Sequence, residues 1–406
     1  LETPADAPVV VGAVLPRSGP RVLVRYADWV LEGVELAVAE AERAQGRRIE
    51  LVVADDGGGE RTGEAVAELE ARGAVAVVGP LLDQHLAPAA RARRTDALVM
   101  ISPTATEAPR WSETYSISAS DARGARELGR YAADVGLRQA AILYPRIPEF
   151  QRKAEAFAAE FEALGGEVRT MVPYDSGTTT FAGHMERIMA AVAPGAAMPD
   201  SAWPAGDAAG IAEPGDSAAW RGRVPQEPFA LFVSAPQRDV PQIAPQVSFY
   251  GLDAAGVQVL GDEAWASAAV RRVVPKRDLQ GVIAASRFPP ERADAPADPA
   301  FVQAYEARYR RSLDNELPAL GYDAAHLVLQ ALPNRMLTPS ALARRFHFLA
   351  GIRGATGLLS VRSSEVVRTP YLVMIREGRL VPAPYPWEYE MPVPKPPAPD
   401  EEVTRR

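Results

Sequence analysis

The chain has 406 residues, 47% hydrophobic and 24% charged, which is typical of a globular protein with two or three domain-sized cores. Its net charge of −8 argues against nucleic-acid binding, and the absence of cysteine excludes disulfides, thiolate metal sites and cysteine nucleophiles. No apolar run reaches the length of a transmembrane helix, and the start at Leu1 is compatible with a signal peptide or lipid anchor upstream.

The first half of the chain alternates between predicted strands and helices. After a polar leader over 1–8, the apolar run Val9–Pro16 predicts a strand buried on both faces. The next segment carries apolar residues at helical spacing and ends at Gly46, a typical C-terminal cap. The alternation continues to Ser102 and resumes near Asp121, which predicts an α/β protein with two parallel-sheet cores.

Three later segments interrupt or follow this alternation. Residues 194–228 are rich in Pro, Gly, Ala and Asp and predict a surface insertion, in which Trp203 and Trp220 either hold the loop to the body or anchor a partner protein. The dipeptide Glu377–Gly378 predicts the turn of a β-hairpin. Residues 386–406 form a proline-rich tail that is expected to be extended or disordered.

Catalytic and cofactor motifs are missing. The four histidines have no metal-binding spacing, and neither a GxSxG elbow nor a P-loop is present. The glycine-rich stretch from Asp55 to Gly63 lacks the P-loop lysine and is interpreted as a turn. The sequence therefore predicts no cofactor and no metal, and favours a binding protein over an enzyme.

Polar side chains follow the carboxyl ends of the first, third and fourth predicted strands, where open α/β sheets bind ligands. These candidate ligand residues are Ser18, Gln84, His85, Ser102, Thr104, Ala105 and Thr106. Helices begin just after these loops and favour an anionic group of a ligand. Asp83 lies in the same region and is either a helix cap or a ligand-facing acid.

Several segments in order resemble the type I periplasmic binding proteins, especially the branched-chain amino-acid group. These segments are VGAVLPRSGP, EGVELAVAEAE, VVGPLLDQHLAPAA, VMISPTATE, TTTFAGHMERI and LGYDAAHLVLQAL. The resemblance implies two doubly wound lobes joined by three crossovers, with hinge closure over a ligand in the cleft between them. It implies lobe one at 9–118 and 287–350, and lobe two at 119–286 and 351–385.

The resemblance also implies roles for single residues. In the first lobe, Ala105 and Thr106 match the groups that hold a ligand carboxylate. In the second lobe, Asp121 matches an acid at a helix start, Tyr144 and Phe150 an aromatic cover, and Glu263, beside Asp262, the acid that pairs with a ligand ammonium. If the ligand is a zwitterion, Thr106→Ala and Glu263→Ala should each weaken binding by about 1–3 kcal/mol.

The Asp83–His85 loop departs from the family pattern, because an aspartate beside a ligand carboxylate is repulsive. A standard amino acid is therefore disfavoured if Asp83 faces the ligand, and a derivative or a more polar ligand is expected. Residues 244–265 also resemble the penicillin-binding-protein activator lipoproteins of the same fold.

Two binding functions remain open on these observations, beside a third interpretation as an enzyme on a doubly wound α/β fold. One is a periplasmic solute-binding protein that works with an ABC permease in transport or sensing. The other is a lipid-anchored envelope protein that contacts a peptidoglycan synthase.

Overall fold

The computed structural model describes residues 8–106, 110–118, 122–193, 227–253, 256–290, 297–333, 338–362 and 365–392. Contacts divide the chain into two compact units. Unit 1 comprises Leu1–Asp121 and Ala295–Thr369, and unit 2 comprises Ala122–Asp294 and Pro370–Arg406. The chain therefore passes between the units three times.

Unit 1 is built on a five-stranded parallel sheet in the order β2-β1-β3-β4-β5. Its first part consists of β1 (Val9–Leu15), α1 (Arg21–Gln45), β2 (Ile49–Asp55), α2 (Thr62–Ala71), β3 (Ala76–Val78), α3 (Asp83–Ala92), β4 (Val99–Ser102) and β5 (Thr114–Ser116). A short 3₁₀ helix, Gly57–Gly59, follows β2. Successive residues of β1 lie in separate cores on opposite faces of the sheet, because side chains alternate along a strand.

Unit 2 is built on a seven-stranded sheet in the order β15-β14-β10-β9-β8-β6-β7, in which β14 spans Tyr371–Arg376 and β15 spans Arg379–Pro382. Its elements before the last crossing are α4 (Arg123–Asp134), β6 (Gln139–Pro145), α5 (Pro148–Ala163), β7 (Glu167–Tyr174), α6 (Ala182–Val192), β8 (Phe229–Val233), α7 (Val240–Phe249), β9 (Val257–Gly261), α8 (Glu263–Ala266), α9 (Ala268–Val273), α10 (Lys276–Leu279) and β10 (Ile283–Ser286). Helices α4 and α5 cover one face and α6 and α7 the other. With helices on both faces of each sheet, the predicted α/β class with two doubly wound lobes is confirmed.

The late part of unit 1 contains a second, antiparallel sheet in the order β11-β12-β13. The late elements are α11 (Pro299–Tyr309), α12 (Leu317–Gln330), α13 (Pro339–Phe346), β11 (Ile352–Gly354), β12 (Gly357–Arg362) and β13 (Glu365–Arg368). The sequence prediction placed 351–369 in the second lobe, whereas contacts place this stretch in unit 1. The reason is a pair of long-range hydrogen bonds. The carboxylate of the buried Asp323, in α12, accepts them from the backbone N–H groups of Ala355 and Thr356.

The predicted hairpin is confirmed. β14 (Tyr371–Arg376) and β15 (Arg379–Pro382) pair antiparallel, and Glu377 and Gly378 have φ values of 53° and 78° at the turn. Positive φ at both turn residues matches the right-handed twist of the strands.

The segment after β15 begins as ordered structure, where an extended tail was expected. Pro386–Glu388 form a 3₁₀ helix, and the Tyr131 hydroxyl donates to the Pro384 carbonyl at 2.9 Å. The Tyr389 hydroxyl donates to Gln258 Oε1 at 2.8 Å. Residues 194–226 of the predicted insertion, with its two tryptophans, lie outside the described residues, as does the tail beyond 392.

Helices α1 and α12 cross at two glycines. A Cβ on Gly33 would lie 1.8 Å from the Pro318 carbonyl oxygen, and a Cβ on Gly321 would lie 2.2 Å from the Val30 carbonyl oxygen. No side chain fits at either position, because the obstacle is backbone on both sides. The two glycines therefore allow the backbones of α1 and α12 to pack in direct contact.

Gly33→Ala is expected to lower the free energy of unfolding by about 1–3 kcal/mol, because α1 must move away from α12. Urea unfolding followed by circular dichroism measures the change. Gly183→Ala in α6 is the matched control, because an added Cβ there meets nothing within 4 Å. In the control, the free energy of unfolding should instead rise by about 0.5–1 kcal/mol, because alanine has a higher helix propensity than glycine. An equal decrease in the free energy of unfolding of both variants would contradict the packing argument.

Candidate functional site

In unit 1, two candidate hydroxyls connect the loop after β4 to the loop after β3. Ser102 is fully buried, and its hydroxyl donates to the Pro80 carbonyl at 2.6 Å while accepting the Ala105 N–H at 3.0 Å. The Thr104 hydroxyl donates to the Leu81 carbonyl at 2.6 Å. Ala105 is also buried, and its carbonyl accepts a bond from the Ser116 hydroxyl. The polar groups of Ser102, Thr104 and Ala105 thus hold the two loops in place.

Thr106 is the exposed end of this loop, and Asp83 engages both of its donors. The Thr106 N–H lies 2.9 Å from Asp83 Oδ1, and its hydroxyl lies 3.0 Å from Asp83 Oδ2. Asp83 is the first residue of α3, where the helix dipole favours a negative charge. One carboxylate of the chain therefore takes the two-donor position that the resemblance assigns to a ligand carboxylate.

Ser18 belongs to a different network, centred on Asp55 at the end of β2. Its hydroxyl donates to Asp55 Oδ2 at 2.6 Å, and the N–H groups of Arg17 and Gly57 donate to Oδ1 at 2.9 Å. Arg61 pairs with the same carboxylate at 2.8 Å. Burial raises the pKa of Asp55, but these hydrogen bonds outweigh it and hold the pKa well below its usual range. The carboxylate therefore stays charged and fixes the loop after β1.

Gln84 and His85 lie together on the first turn of α3. Their Nε2 atoms are 3.3 Å apart, and His85 is buried at 8% exposure. A Cβ on Gly59 would lie 2.0 Å from His85 Nε2, so the imidazole packs against a glycine turn. The neighbouring Asp56 is buried, and burial raises the pKa of its carboxyl. His85 thus connects α3 to the loop that Asp55 organises.

In unit 2, the predicted residues follow or lie in strands β6 and β9. Tyr144 is half-buried against the core under α4 and α5, and Phe150 lies in the first turn of α5. Glu263 is the first residue of α8. Asp121 lies outside the described residues. Of these residues, the structure brings Phe150 and Glu263 together through a third side chain, Lys153.

The ammonium of Lys153 is the centre of a group that we name the Lys153 cluster: Glu149, Phe150, Lys153, Asp262 and Glu263. Its Nζ lies 3.0 Å from Glu263 Oε2, 3.6 Å from Asp262 Oδ2 and 3.7 Å from Glu149 Oε1. The same nitrogen lies 5.4 Å from the centroid of the Phe150 ring, within cation–π range. The Lys153 side chain is only 13% exposed, so these groups rather than water stabilise its positive charge.

The charges in the Lys153 cluster depend on one another. Burial would lower the pKa of Lys153, but attraction to Glu263, Asp262 and Glu149 outweighs burial and raises it. Burial likewise acts to raise the pKa of Glu263, but Lys153 lowers it overall. The pKa of the deeply buried Asp262 is raised, because burial outweighs the attraction of Lys153. Lys153 and Glu263 are therefore the charged pair of the cluster.

Backbone and small residues fix the position of the two acids. Asp262 caps α8 through the Ala264 N–H and also accepts the Ala235 N–H and the Ser234 hydroxyl. A Cβ on Gly124 would lie 2.9 Å from Glu263 Oε1, so α4 begins directly against this carboxylate. The acids lie at the carboxyl ends of the parallel strands of unit 2, where α/β proteins bind ligands.

Sequence reasoning missed Asp55 and Lys153 as organising residues. Composition carried a signal for Lys153, because the chain has only three lysines, at 153, 276 and 395, among 44 basic residues. Residue 153 is thus a lysine in a chain whose basic residues are nearly all arginine.

Across the described part of the chain, no group of three or more His, Asp or Glu side chains has an arrangement that could hold a metal ion. In the same residues, no helix combines the length and apolarity required to cross a membrane. A cavity on unit 1, beside α1 and α11, is lined by charged side chains that include the ion pair of Glu32 with Arg311.

Comparison with known proteins gives concordant results. A structure described as a putative branched-chain amino acid ABC transporter from Rhodospirillum rubrum is 19% identical, with a TM-score of 0.70 over 93% of this chain and 100% of that one. A substrate-binding protein from Desulfitobacterium hafniense in complex with Leu is 21% identical, with a TM-score of 0.56 over 93% and 100%. A solute-binding protein from R. palustris in complex with benzoate is 17% identical, with a TM-score of 0.53 over 93% and 95%.

These likenesses establish the fold. A search among curated proteins found no match. The model of the family described as periplasmic binding protein matches residues 8–370, nearly the whole of the described structure. With the family match and the two doubly wound units in agreement, the chain belongs to the type I periplasmic binding protein family, whose members bind solutes and are not enzymes.

Proposed function

We propose that the chain is an extracytoplasmic solute-binding protein that delivers a small polar ligand, a derivative of an amino acid, to an ABC permease. The main support is the position of polar side chains at the carboxyl ends of parallel strands in each unit, within a chain of this family. Binding would use the hinge closure that the sequence resemblance implies. Two structural relatives, one described as a complex with Leu and the other with benzoate, support a ligand of this size.

The contact between Asp83 and Thr106 restricts the class of ligand that can bind at this loop. A ligand carboxylate at Thr106 would have to displace Asp83 from two hydrogen bonds and remain beside its negative charge. We therefore propose that the carboxyl group of the ligand is masked, as in an amide or ester. Free amino acids and benzoate are expected to bind weakly.

Asp83→Ala is expected to raise the affinity for free carboxylates about tenfold or more, because it releases two donors and removes a repulsive charge. Isothermal titration of benzoate and isoleucine into both proteins measures the change. Asp96→Ala is the matched control, since it removes one exposed negative charge from the same unit. Equal affinities in the wild type and in Asp83→Ala would contradict the masked-carboxyl proposal.

A thermal-shift screen tests the function as a whole. The panel contains free amino acids, their amides and N-acetylated amides, aromatic acids and peptidoglycan fragments. A ligand at a hundredfold excess over Kd adds about 2.7 kcal/mol to stability, which raises Tm by several degrees. No response to any compound, together with capture of a peptidoglycan synthase by the chain, would instead support the envelope-lipoprotein alternative.

A further inference from the structure

Carboxylates around a nitrogen, with an aromatic ring beside it, are the groups with which proteins recognise an ammonium ion. Unit 2 contains this combination in the Lys153 cluster, at the carboxyl edge of its sheet. The ammonium there comes from the chain itself. Its distances to Glu263 and to the Phe150 ring are those of a bound cation, at 3.0 Å and 5.4 Å.

We propose that Lys153 is a built-in substitute for the ammonium group of a ligand, so that this edge of unit 2 selects molecules without a primary amine. The inference rests on the proposed function, which it deepens by naming the class of ligand. For unit 2 it names the class of ligand as a polar molecule without a primary ammonium group, of which an N-acylated amino-acid amide is the simplest example.

The acids of the Lys153 cluster leave little attraction for a second cation. Asp262 is 3% exposed and also accepts hydrogen bonds from Ala235, Ala264 and Ser234. Glu149 is 43% exposed, so water screens its charge. Glu263 already has its cation at 3.0 Å, and an amine approaching the same carboxylate would meet the charge of Lys153.

The presence of lysine rather than arginine also fits this role. A lysine ammonium is compact and has three donors, as the primary ammonium of a small molecule does, whereas the planar fork of arginine does not have that shape. Neighbouring Arg152 is exposed on the same helix, so α5 uses arginine where it faces solvent and lysine where the acids converge.

Chemical rescue tests the inference directly. Lys153→Ala leaves a space that n-propylammonium, the end of a lysine side chain, should fill. We expect n-propylammonium chloride to raise the Tm of Lys153→Ala by about 3 °C or more relative to the same concentration of sodium chloride. The wild type and the exposed-site control Arg152→Ala should not respond, and neither should Lys153→Ala with uncharged propionamide.

Several results would overturn the inference. They are a folded Lys153→Ala that n-propylammonium does not stabilise, a variant that stays unfolded in its presence, or a wild type that leucinamide stabilises as strongly as N-acetyl-leucinamide. A variant that folds only with the amine supports it. A wild type that responds to no compound counts against the proposed function, whereas the rescue of Lys153→Ala still decides the role of Lys153.

Discussion

Replacing Asp323 with alanine is expected to lower the free energy of unfolding of unit 1 by about 3–5 kcal/mol. Its fully buried carboxylate accepts three hydrogen bonds: the Ala355 N–H at 2.5 Å, the Thr356 N–H at 2.9 Å and the Thr356 hydroxyl at 2.5 Å. The substitution leaves these buried donors without an acceptor. Urea unfolding measures the loss, and hydrogen exchange over 352–368 locates it.

Asp314→Ala is the control, because this aspartate is exposed just before α12 and bonds only locally, to Ser312. It should change stability by less than about 0.5 kcal/mol. A loss of less than about 1 kcal/mol in Asp323→Ala would contradict the anchoring role, because one unmet buried hydrogen bond already costs that much.

The pH dependence gives a second readout for Asp323. Burial raises the pKa of this carboxyl from 3.8 to about 6, although hydrogen bonds from Thr356 and Ala355 act in the opposite direction. The folded state therefore holds the proton more tightly than the unfolded state. The stability that this effect contributes is complete below pH 3.8 and is lost as the pH rises through about 6. Asp323→Asn should remove this part of the pH dependence.

Replacing Lys153 with methionine is expected to lower the free energy of unfolding of unit 2 by about 3–5 kcal/mol, because it leaves the Glu263 carboxylate without its cation. Methionine keeps most of the side-chain volume, so the loss measures charge rather than packing. Urea unfolding of the full chain measures it. The pKa of Glu263 should rise in the variant, since Lys153 is what lowers it.

Two further variants separate the ion pair from other effects. Arg152→Met removes an exposed charge from the same helix and should cost less than about 0.5 kcal/mol. Adding Glu263→Gln to Lys153→Met should recover part of the loss, since the unpaired charge is then removed. Additive losses in the double variant would contradict direct coupling between Lys153 and Glu263.

Much of the fold could be predicted because its signals are local. The apolar run of β1 and the helical spacing of α1 lie within single elements, and so does the turn at Glu377–Gly378. The antiparallel sheet β11–β13 could not be assigned to its unit, because the bond that places it joins Asp323 to Thr356, 33 residues later.

The candidate site shows the same limit. The sequence singled out Asp83 as a departure from the family and left its role open, and the structure gives it a partner, Thr106, 23 residues away. Ser102 looked like a free hydroxyl at a strand end, but it is buried between Pro80 and Ala105. Glu263 and Lys153 are 110 residues apart, so no local pattern connects them.

The environment of Lys153 also makes it chemically unlike Lys276, the other lysine in the described part of the chain. Amine-reactive reagents attack only the neutral amine, and the carboxylates raise the pKa of Lys153 while the fold covers its side chain. Lys276, by contrast, is exposed to solvent, so a reagent can reach its side chain in the folded protein. Covalent labelling at Lys153 therefore requires α5 to separate from the start of α8. We expect this labelling to be slow. Its rate, followed by mass spectrometry, would measure how often unit 2 opens locally around Lys153.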